Sequence, residues 1–454
     1  MLDDKERLNK IVKRFAEHRD ITNGEPLPVY EAVCPLHSET NMQRLIIRLG
    51  KMGMIHINCS AGCQAVEILR KVGLDSPDLF RNRHWFDARV HKFNQQSDAA
   101  RFALVYKDNL RYDQKRRVWL VYDGQCWSEK AGHAEAMECS RQLAHDLYRI
   151  AGEVGQKAKT EADRDLSDEF QSHAKSACGL YSINAVLSLA QNDKLLRVDS
   201  PDTFNRQEYL LNCENGTVDL RTGILRPHDP NDMLSQIANC AYPAEPNGEL
   251  PTMKEIQEHG KLWFDCCKKW LGEDEELIGY LKRLLGLCAI GSNRAKLFVV
   301  FYGDSNTGRS TLLDTIREIL GDYATVAIES LLKYAKFDAH PTEMAYLYGK
   351  RFAQVSELNR QITLNAARLK QLTGNETYVA RFIGRDPIKL RAQFTFIMEC
   401  NEYPHIKETN DAIWNRLHIL EFHNVIPDRK QDPNLRDKLM AVVVKQFETV
   451  PLGN

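Results

Sequence analysis

The sequence predicts an α/β fold with a central parallel sheet in residues 296–427, and three observations favour it. Residues Leu297 to Tyr302 form an apolar run that is too short for a helix and suits a buried strand. A glycine-bounded loop, Gly303 to Gly308, follows this run, and apolar residues at helical spacing then continue from Leu312 to Leu320. This order of strand, loop and helix is the context that a phosphate-binding loop requires.

The loop itself, GDSNTGRST, is the first candidate binding site. Its two glycines allow a tight turn that directs several N–H groups at one position, and the start of the helix adds its positive dipole end. Ser310 offers a hydroxyl that can ligate Mg2+. The alternative is a turn without a ligand. The residues predicted to contact the nucleotide are Gly303, Asn306, Thr307, Gly308, Arg309, Ser310 and Thr311.

Arg309 stands where such a loop usually carries a lysine. Arginine keeps the positive charge but replaces a compact ammonium by a broad planar fork, and the two side chains are not interchangeable. The sequence therefore leaves open whether a bound nucleotide is hydrolysed or serves as a structural ligand.

Composition sets the class of the protein. The 454 residues correspond to about three domains at ~150 residues each. The chain is 43% apolar and 27% charged, as in soluble globular proteins. The formal charge of −1 provides no global attraction to nucleic acid, so any such binding must rest on local patches.

The sequence also predicts a cytoplasmic protein without a membrane partner. It has no apolar run long enough for a transmembrane helix, and its first residues, MLDDKERLNK, lack the apolar core of a signal peptide. Without export signals, the 12 cysteines indicate a reducing compartment in which most thiols are free.

The first 80 residues contain a candidate zinc site. A helix over residues 3–19 precedes it, and two pairs at C-x2-H and C-x3-C spacing follow. This donor set suits tetrahedral Zn2+, and a closed site with four protein ligands is structural rather than catalytic. A hairpin between the pairs would bring them together. Two unconnected pairs are the alternative. The predicted ligands are Cys34, His37, Cys59 and Cys63.

The region between residues 81 and 295 shows elements but no assignable chemistry. Residues 81–100 are predicted as a linker, with a boundary near Asn94 to Ser97. An Asp-Gly turn at Asp123 predicts a hairpin, and helical spacing predicts helices over 134–152 and 161–189. Short strands are expected over 210–220. Cys266 and Cys267 lie at helical spacing between tryptophans and are interpreted as core residues rather than metal ligands.

Three polar residues follow the loop at positions that suit catalysis. Glu357 comes at the end of a predicted strand, where a carboxylate faces the same crevice as the loop and can orient water or hold Mg2+. Two acidic residues usually share these duties, but Ser356 precedes Glu357 here. A surface-turn glutamate is the alternative. Asn401 ends a later strand, and Arg416, which precedes the last one, can reach a neighbouring subunit's ATP as an arginine finger.

A basic hairpin is predicted over residues 378–391, around a Gly-Arg-Asp-Pro turn. Its cations suit contact with DNA phosphates, whereas a solvated charged turn is the alternative. The predicted DNA-binding residues are Lys370, Arg381, Arg385, Lys389 and Arg391.

The segments GDSNTGRST, VSELN, LKQLTGNETYVAR, MECNEYP and WNRLHILEF, in this order, resemble superfamily 3 helicases of the phage and plasmid primase–helicase branch, within the AAA+ class. The resemblance implies an AAA+-like P-loop core, a ring of six subunits around single-stranded DNA, and ATP with Mg2+ between neighbours. CPLH, CSAGC and VEILRKVGL resemble the zinc-binding, zinc-ribbon-like domain of phage and plasmid primases. LLNCENGTVDLRTGILRPHDP, with the earlier YDG and Trp127, resembles the mixed α+β domain that precedes viral helicases.

These features predict an ATP-dependent replicative helicase of a mobile element, acting on single-stranded and forked DNA as a homo-hexamer. One alternative is an ATP-binding initiator or loader that hydrolyses weakly or not at all. Another is a primase–helicase, which the lack of an assignable acidic cluster opposes. Because residues 428–454 are too few for a winged-helix domain, origin recognition is expected to rest on the zinc module or a separate origin-binding or primase protein. The predicted divisions are 1–80, 81–100, 101–250, 251–295, 296–427 and 428–454.

Overall fold

The computed structural model describes two compact units, residues 1–200 and 201–454, each with its own apolar core. The described residues are 4–15, 17–22, 28–37, 43–49, 55–63, 65–74, 93–156, 158–243, 252–334, 341–356, 363–374, 377–407 and 411–445.

The first unit begins with a small antiparallel sheet. The predicted first helix exists but ends at Val12, and the chain reverses near Glu17, whose φ is 50°, into the first strand. Leu8, Ile11 and Phe15 are buried on the predicted face. The strands pair in the order β1-β2-β3-β4. These elements are α1 (Asp4–Val12), β1 (Arg19–Asp20), β2 (Val29–Val33), β3 (Arg44–Leu49), β4 (Ile55–Cys59) and α2 (Ala65–Lys71).

The rest of the first unit places helices against a second sheet, ordered β7-β6-β5-β8. The Asp-Gly turn at Asp123 joins β6 to β7, as predicted. The expected helix over 161–189 is two helices, because the chain is extended at Gly179. The elements are α3 (Gln95–Tyr106), β5 (Leu110–Asp113), β6 (Val118–Tyr122), β7 (Trp127–Ser128), α4 (Gly132–Gln156), α5 (Glu161–Ala177), α6 (Leu180–Ala190) and β8 (Arg197–Val198).

Asn94 begins ordered structure rather than a linker. Its side chain accepts a hydrogen bond from the Ser97 backbone and caps α3. Most of the predicted linker, residues 81–92, lies outside the described part of the chain.

The second unit contains the predicted parallel sheet. Five strands pair in the order β13-β14-β18-β12-β20, and all neighbouring pairs are parallel. Its strands and helices are β9 (Leu210–Cys213), β10 (Gly216–Asp219), β11 (Ile224–Arg226), α7 (Met253–His259), α8 (Lys261–Trp270), α9 (Glu275–Ala289), β12 (Phe298–Gly303), α10 (Arg309–Leu320), β13 (Ala324–Val326), α11 (Pro341–Ala345), β14 (Phe352–Ser356), β15 (Thr363–Leu364), α12 (Ala366–Thr373), β16 (Thr377–Arg381), β17 (Pro387–Arg391), β18 (Thr395–Cys400), β19 (His405–Ile406), α13 (Asp411–Trp414), β20 (Leu417–Phe422) and α14 (Leu435–Lys445).

Both faces of this sheet are covered, as a parallel sheet requires. Phe298 and Val300 of β12 pack into one apolar cluster, and the alternating Val299 and Phe301 pack into the other. The second cluster contains Cys266 and Cys267, in agreement with their interpretation as core residues. The α/β prediction with a central parallel sheet is therefore confirmed.

Residues 201–243 are tied into the second unit by a buried arginine. Arg351, which is 2% exposed, donates to the carbonyl oxygens of Ala289 and Leu210, and its guanidinium lies 4.4 Å from the ring centre of Tyr323. The sequence grouped this segment with residues 101–200 instead. At the other end, α14 packs against α10 and buries Leu439. None of the described helices combines the length and apolar character needed to cross a membrane.

Candidate functional site

The loop between β12 and α10 lines a cleft of about 480 Å³ at the carboxyl edge of the parallel sheet. This size lies within the range of about 300–1,000 Å³ that is usual for small-molecule sites. The cleft is the place where ligands bind in open α/β sheets. Its lining residues are Ser305, Asn306, Thr307, Gly308, Arg309, Ser310, Thr311, Glu399, Cys400 and Asn401.

Gly308 gives the loop its shape. Its φ of 88° lies in the left-handed region, and a Cβ there would stand 2.1 Å from the indole nitrogen of the buried Trp270. The strained turn places the start of α10 directly after the loop. The backbone N–H groups of the first helical turn, together with the helix dipole, therefore face the cleft as in anion sites.

Arg309 points into the protein rather than across the cleft. The side chain is 7% exposed. The Nη2 atom lies 2.9 Å from the Asp304 oxygen and Nη1 lies 3.1 Å from the Phe301 oxygen. Arginine has five N–H donors, and each is directed at an acceptor of this chain. The acceptors are the carbonyl oxygens of Phe301, Asp304 and Cys400, the Thr307 hydroxyl and the Asn401 side-chain oxygen. A contact to phosphate would therefore replace one of these bonds.

Glu399 is a site residue that the sequence analysis did not select. It lies on β18, next to the loop strand, and its Oε2 accepts a hydrogen bond of 2.8 Å from the Ser310 hydroxyl. Its Oε1 accepts one of 3.2 Å from the Gln354 side chain on β14. The available signal was a single acidic residue in an otherwise apolar strand, two positions before Asn401.

Two of the three predicted catalytic residues lie in the described part of the chain, and they occupy different positions. Asn401 lines the cleft and contacts Arg309. Glu357 lies outside the described residues. Arg416 precedes β20, and its carbonyl accepts from the Phe298 backbone at the start of β12. Since β12 rises about 3.3 Å per residue, Arg416 stands about 17 Å from the loop of its own subunit.

The basic hairpin exists as β16 and β17. These strands pair from Thr377 to Arg391, and one hairpin face is buried. Arg381 and Lys389 are exposed, whereas Arg385 is partly buried. Arg391 forms an ion pair with Glu208 at the base of the hairpin. Lys370 is partly buried on α12.

The four predicted zinc ligands converge in the first unit. Their donor atoms all lie within 4.8 Å of one another, and the His37 Nε2 atom lies 3.0 Å from the Cys63 sulfur and 3.6 Å from the Cys59 sulfur. Adjacent ligands of a tetrahedral zinc with these donors are about 3.5–3.8 Å apart. Hydrogen bonding from Cys34 lowers the pKa of the Cys59 thiol to about 5. The donors therefore fit Zn2+.

The turn at Gly62 fixes this cluster to the neighbouring sheet. Its φ is 75°, and a Cβ there would stand 1.9 Å from the carbonyl oxygen of Asp123 in the β6–β7 turn. A hydrogen bond joins His56 to Asp108 within the same unit. The cluster is thus packed directly against residues 93–200 rather than held on a separate module.

Comparison with known proteins supports a viral helicase type. Residues 99–272 match the family described as D5 N terminal like, and residues 301–416 match a family of unknown function. A protein of Acanthamoeba polyphaga mimivirus named "Putative helicase L207/L206" is 31% identical over 48% of this chain and 22% of its own length. "Putative helicase 022R" of Frog virus 3 (isolate Goorha) is 25% identical over 49% of this chain and 29% of its own length.

The chain therefore spans less than a third of the length of these curated relatives. Among solved structures, the apo C-terminal region of NrS-1 shows 19% identity and a TM-score of 0.34, over 44% of this chain and 46% of that one. The sequence matches confirm that the chain resembles viral proteins named putative helicases. The primase–helicase type and the superfamily 3 assignment stay predictions.

Proposed function

We propose that this chain is the motor of an ATP-dependent replicative DNA helicase or translocase of a mobile genetic element, such as a phage, plasmid or integrated island. One observation carries the proposal: Ser310, Glu399 and Asn401 meet the phosphate-type loop at one cleft on the carboxyl edge of a parallel sheet. This convergence joins an anion-binding loop to the polar side chains that hydrolysis needs.

Within this cleft the backbone N–H groups at the start of α10 bind the phosphates of ATP. Ser310 and a carboxylate would hold Mg2+, which would supply neutralisation of the phosphate charge. The Asn401 amide hydrogen-bonds the attacking water or the terminal phosphate. Glu357, which lies outside the described residues, is proposed from the sequence to orient that water.

Arg416 acts on the ATP of a neighbouring subunit. Its main chain lies at the other end of β12 from its own loop, about 17 Å away, which favours a contact with another subunit's cleft. Its Nη1 donates to the Ala412 carbonyl oxygen, whereas its buried Nε makes no hydrogen bond to any described residue. A ring of identical subunits, proposed as a hexamer, brings such a residue to the adjacent cleft, where it stabilises transition-state charge.

The exposed cations Arg381 and Lys389 grip the phosphates of single-stranded DNA. Arg391, also proposed as a DNA contact from the sequence, forms an ion pair with Glu208 at the base of the hairpin. The zinc cluster, which holds Zn2+ as a structural ion, gives the first unit a further DNA contact.

The test combines steady-state ATPase activity, with and without single-stranded DNA, and the solution mass with and without nucleotide. We expect DNA to stimulate turnover and nucleotide to favour the ring. Arg416→Ala is expected to lower turnover about 10³-fold or more while nucleotide binding persists. Mixing Arg416→Ala subunits with Ser310→Ala subunits should restore part of the activity. At an interface between the two variants, the intact loop of an Arg416→Ala subunit meets the intact Arg416 of a Ser310→Ala subunit.

Arg436→Ala is the matched control, because Arg436 is a partly exposed arginine paired with Glu318 away from the cleft. Unchanged turnover in Arg416→Ala, or no recovery on mixing, would remove the proposed role in trans.

A second candidate is an ATP-binding initiator or loader that does not hydrolyse. The five internal hydrogen bonds of Arg309 favour it, because they engage the donors that would contact the phosphates. Comparing the native protein with Arg309→Lys separates the two candidates. Background turnover that rises at least tenfold in the lysine variant supports the loader, whereas substantial native turnover supports the motor.

A further inference from the structure

We propose that Glu399 completes the Mg2+ site with Ser310, so that the metal-binding carboxylate comes from β18 instead of from position 356 on β14. This inference deepens the proposed function and rests on nucleotide binding at the same cleft. It names a metal ligand that the order of motifs along the chain does not indicate.

The distance between the two oxygens fits adjacent metal ligands. The Ser310 Oγ and Glu399 Oε2 atoms are 2.8 Å apart, and both residues line the cleft beside the loop. Oxygens at neighbouring corners of an octahedron, each 2.0–2.1 Å from Mg2+, are about 2.9–3.0 Å apart. A metal ion can therefore replace the shared proton while the side chains stay nearly in place.

The other carboxylate oxygen of Glu399, Oε1, is held by a chain of hydrogen bonds. It accepts a hydrogen bond from Gln354, whose side chain is 1% exposed, and the Gln354 oxygen in turn accepts from Arg317. Partners of this kind orient a metal-binding carboxylate and keep it from turning away. The hydrogen bonds from Arg317 to Gln354 and from Gln354 to Glu399 fix the direction in which the Glu399 carboxylate faces.

Strand register explains how a carboxylate on β18 can take the place of one at the end of β14. Ser356 and Glu399 are backbone partners in the parallel pair β14–β18. Neighbouring strands lie about 4.8 Å apart, which a glutamate side chain can span. The serine at position 356 leaves one of the two usual acids missing from the end of β14, and Glu399 restores a carboxylate beside that position.

The alternative is that Glu399 only accepts a hydrogen bond that stabilises the loop. The two roles differ in their dependence on metal. A ligand of Mg2+ increases nucleotide affinity only when the metal is present, and without metal its negative charge repels the phosphates. A loop-stabilising acceptor supports binding equally in both conditions.

The experiment measures the dissociation constant of fluorescent mant-ADP in EDTA and in Mg2+, for native protein, Glu399→Gln and the exposed control Glu402→Gln. The dissociation constant in EDTA divided by the dissociation constant in Mg2+ reports how much the metal increases nucleotide affinity. We expect this ratio to fall about tenfold or more in Glu399→Gln, while affinity in EDTA is kept or increased. The control should match the native ratio.

If Glu399→Gln shows the same ratio of dissociation constants as the native protein, the inference is overturned. An equal loss of affinity in both conditions also overturns it, because such a loss identifies a loop-stabilising acceptor. If native protein binds no mant-ADP in either condition, the proposed nucleotide function itself fails. Thermal denaturation without nucleotide checks that each variant folds. If Glu399→Gln does not fold, Glu399→Asp replaces it, and the ratio should fall at least threefold because its carboxylate is withdrawn by one methylene.

Discussion

The two candidate metal sites of this chain are built in opposite ways. The candidate zinc site takes its donors from two short turns, Cys34 to His37 and Cys59 to Cys63, which the pairing of β2, β3 and β4 brings together. The nucleotide cleft takes its loop from one segment, but Glu399 comes from a strand 89 residues further along the chain than Ser310. The first site is thus defined by spacing and the second by strand register.

This difference has an energetic side. Bound metal at the candidate zinc site would join two turns of the first unit directly, so its binding would contribute to the folding of this region. The apolar residues around these turns also pack in the core of that unit. The nucleotide cleft lies on a five-stranded sheet with apolar clusters on both faces. The sheet is therefore expected to stay folded without a ligand, so a ligand can bind and dissociate without unfolding the cleft.

The largest expected effect follows from removing one zinc ligand. Cys59→Ser should lose the bound Zn2+, counted as one per native chain, and should expose residues 28–74 to proteolysis. Structural zinc contributes about 10–16 kcal/mol in zinc-finger peptides, which is as large as the whole stability of a typical domain, about 5–15 kcal/mol. Metal content and limited proteolysis measure the change.

Cys178→Ser is the matched control, because Cys178 is an exposed cysteine outside the cluster. It should keep both the zinc and the native cleavage pattern. Binding of mant-ADP should be kept in both variants, since every residue lining the cleft belongs to the second unit. If Cys59→Ser keeps its zinc, the contrast between the two sites does not hold.

The fold could be predicted where a signal is local. The run 297–302 with its loop identified the central strand, and the Asp-Gly pair at Asp123 identified a hairpin. The strand order could not be read, because it depends on contacts between strands distant in sequence. Gly179 was also missed as the break between α5 and α6, since a single glycine does not always end a helix.

The same limit applies to the candidate site. The four residues predicted as zinc ligands do lie together, because their spacing places each pair on one short turn. That they bind zinc stays a prediction. Glu399 was missed, because its relation to Ser310 appears only when β18 lies beside β12. The internal orientation of Arg309 was not foreseen either, since four of its five acceptors are carbonyl or amide oxygens that no sequence pattern marks.

A smaller effect is expected at the loop. Gly308→Ala places a Cβ 2.1 Å from the Trp270 indole nitrogen at a φ of 88°, so the loop must shift or Trp270 must move. Left-handed strain alone costs about 1–2 kcal/mol, and the displaced N–H groups should weaken mant-ADP binding at least tenfold. In contrast with Cys59→Ser, the sheet should stay folded because both of its faces remain packed.

Gly286→Ala is the matched control in α9, since no heavy atom lies within 4 Å of the Cβ that it adds. It should leave mant-ADP binding unchanged and stabilise the helix by about 0.5–1 kcal/mol. Thermal denaturation and the binding titration measure both variants. Native affinity in Gly308→Ala would show that the loop tolerates displacement, and the cleft would then owe its shape to β12 and β18 rather than to the turn.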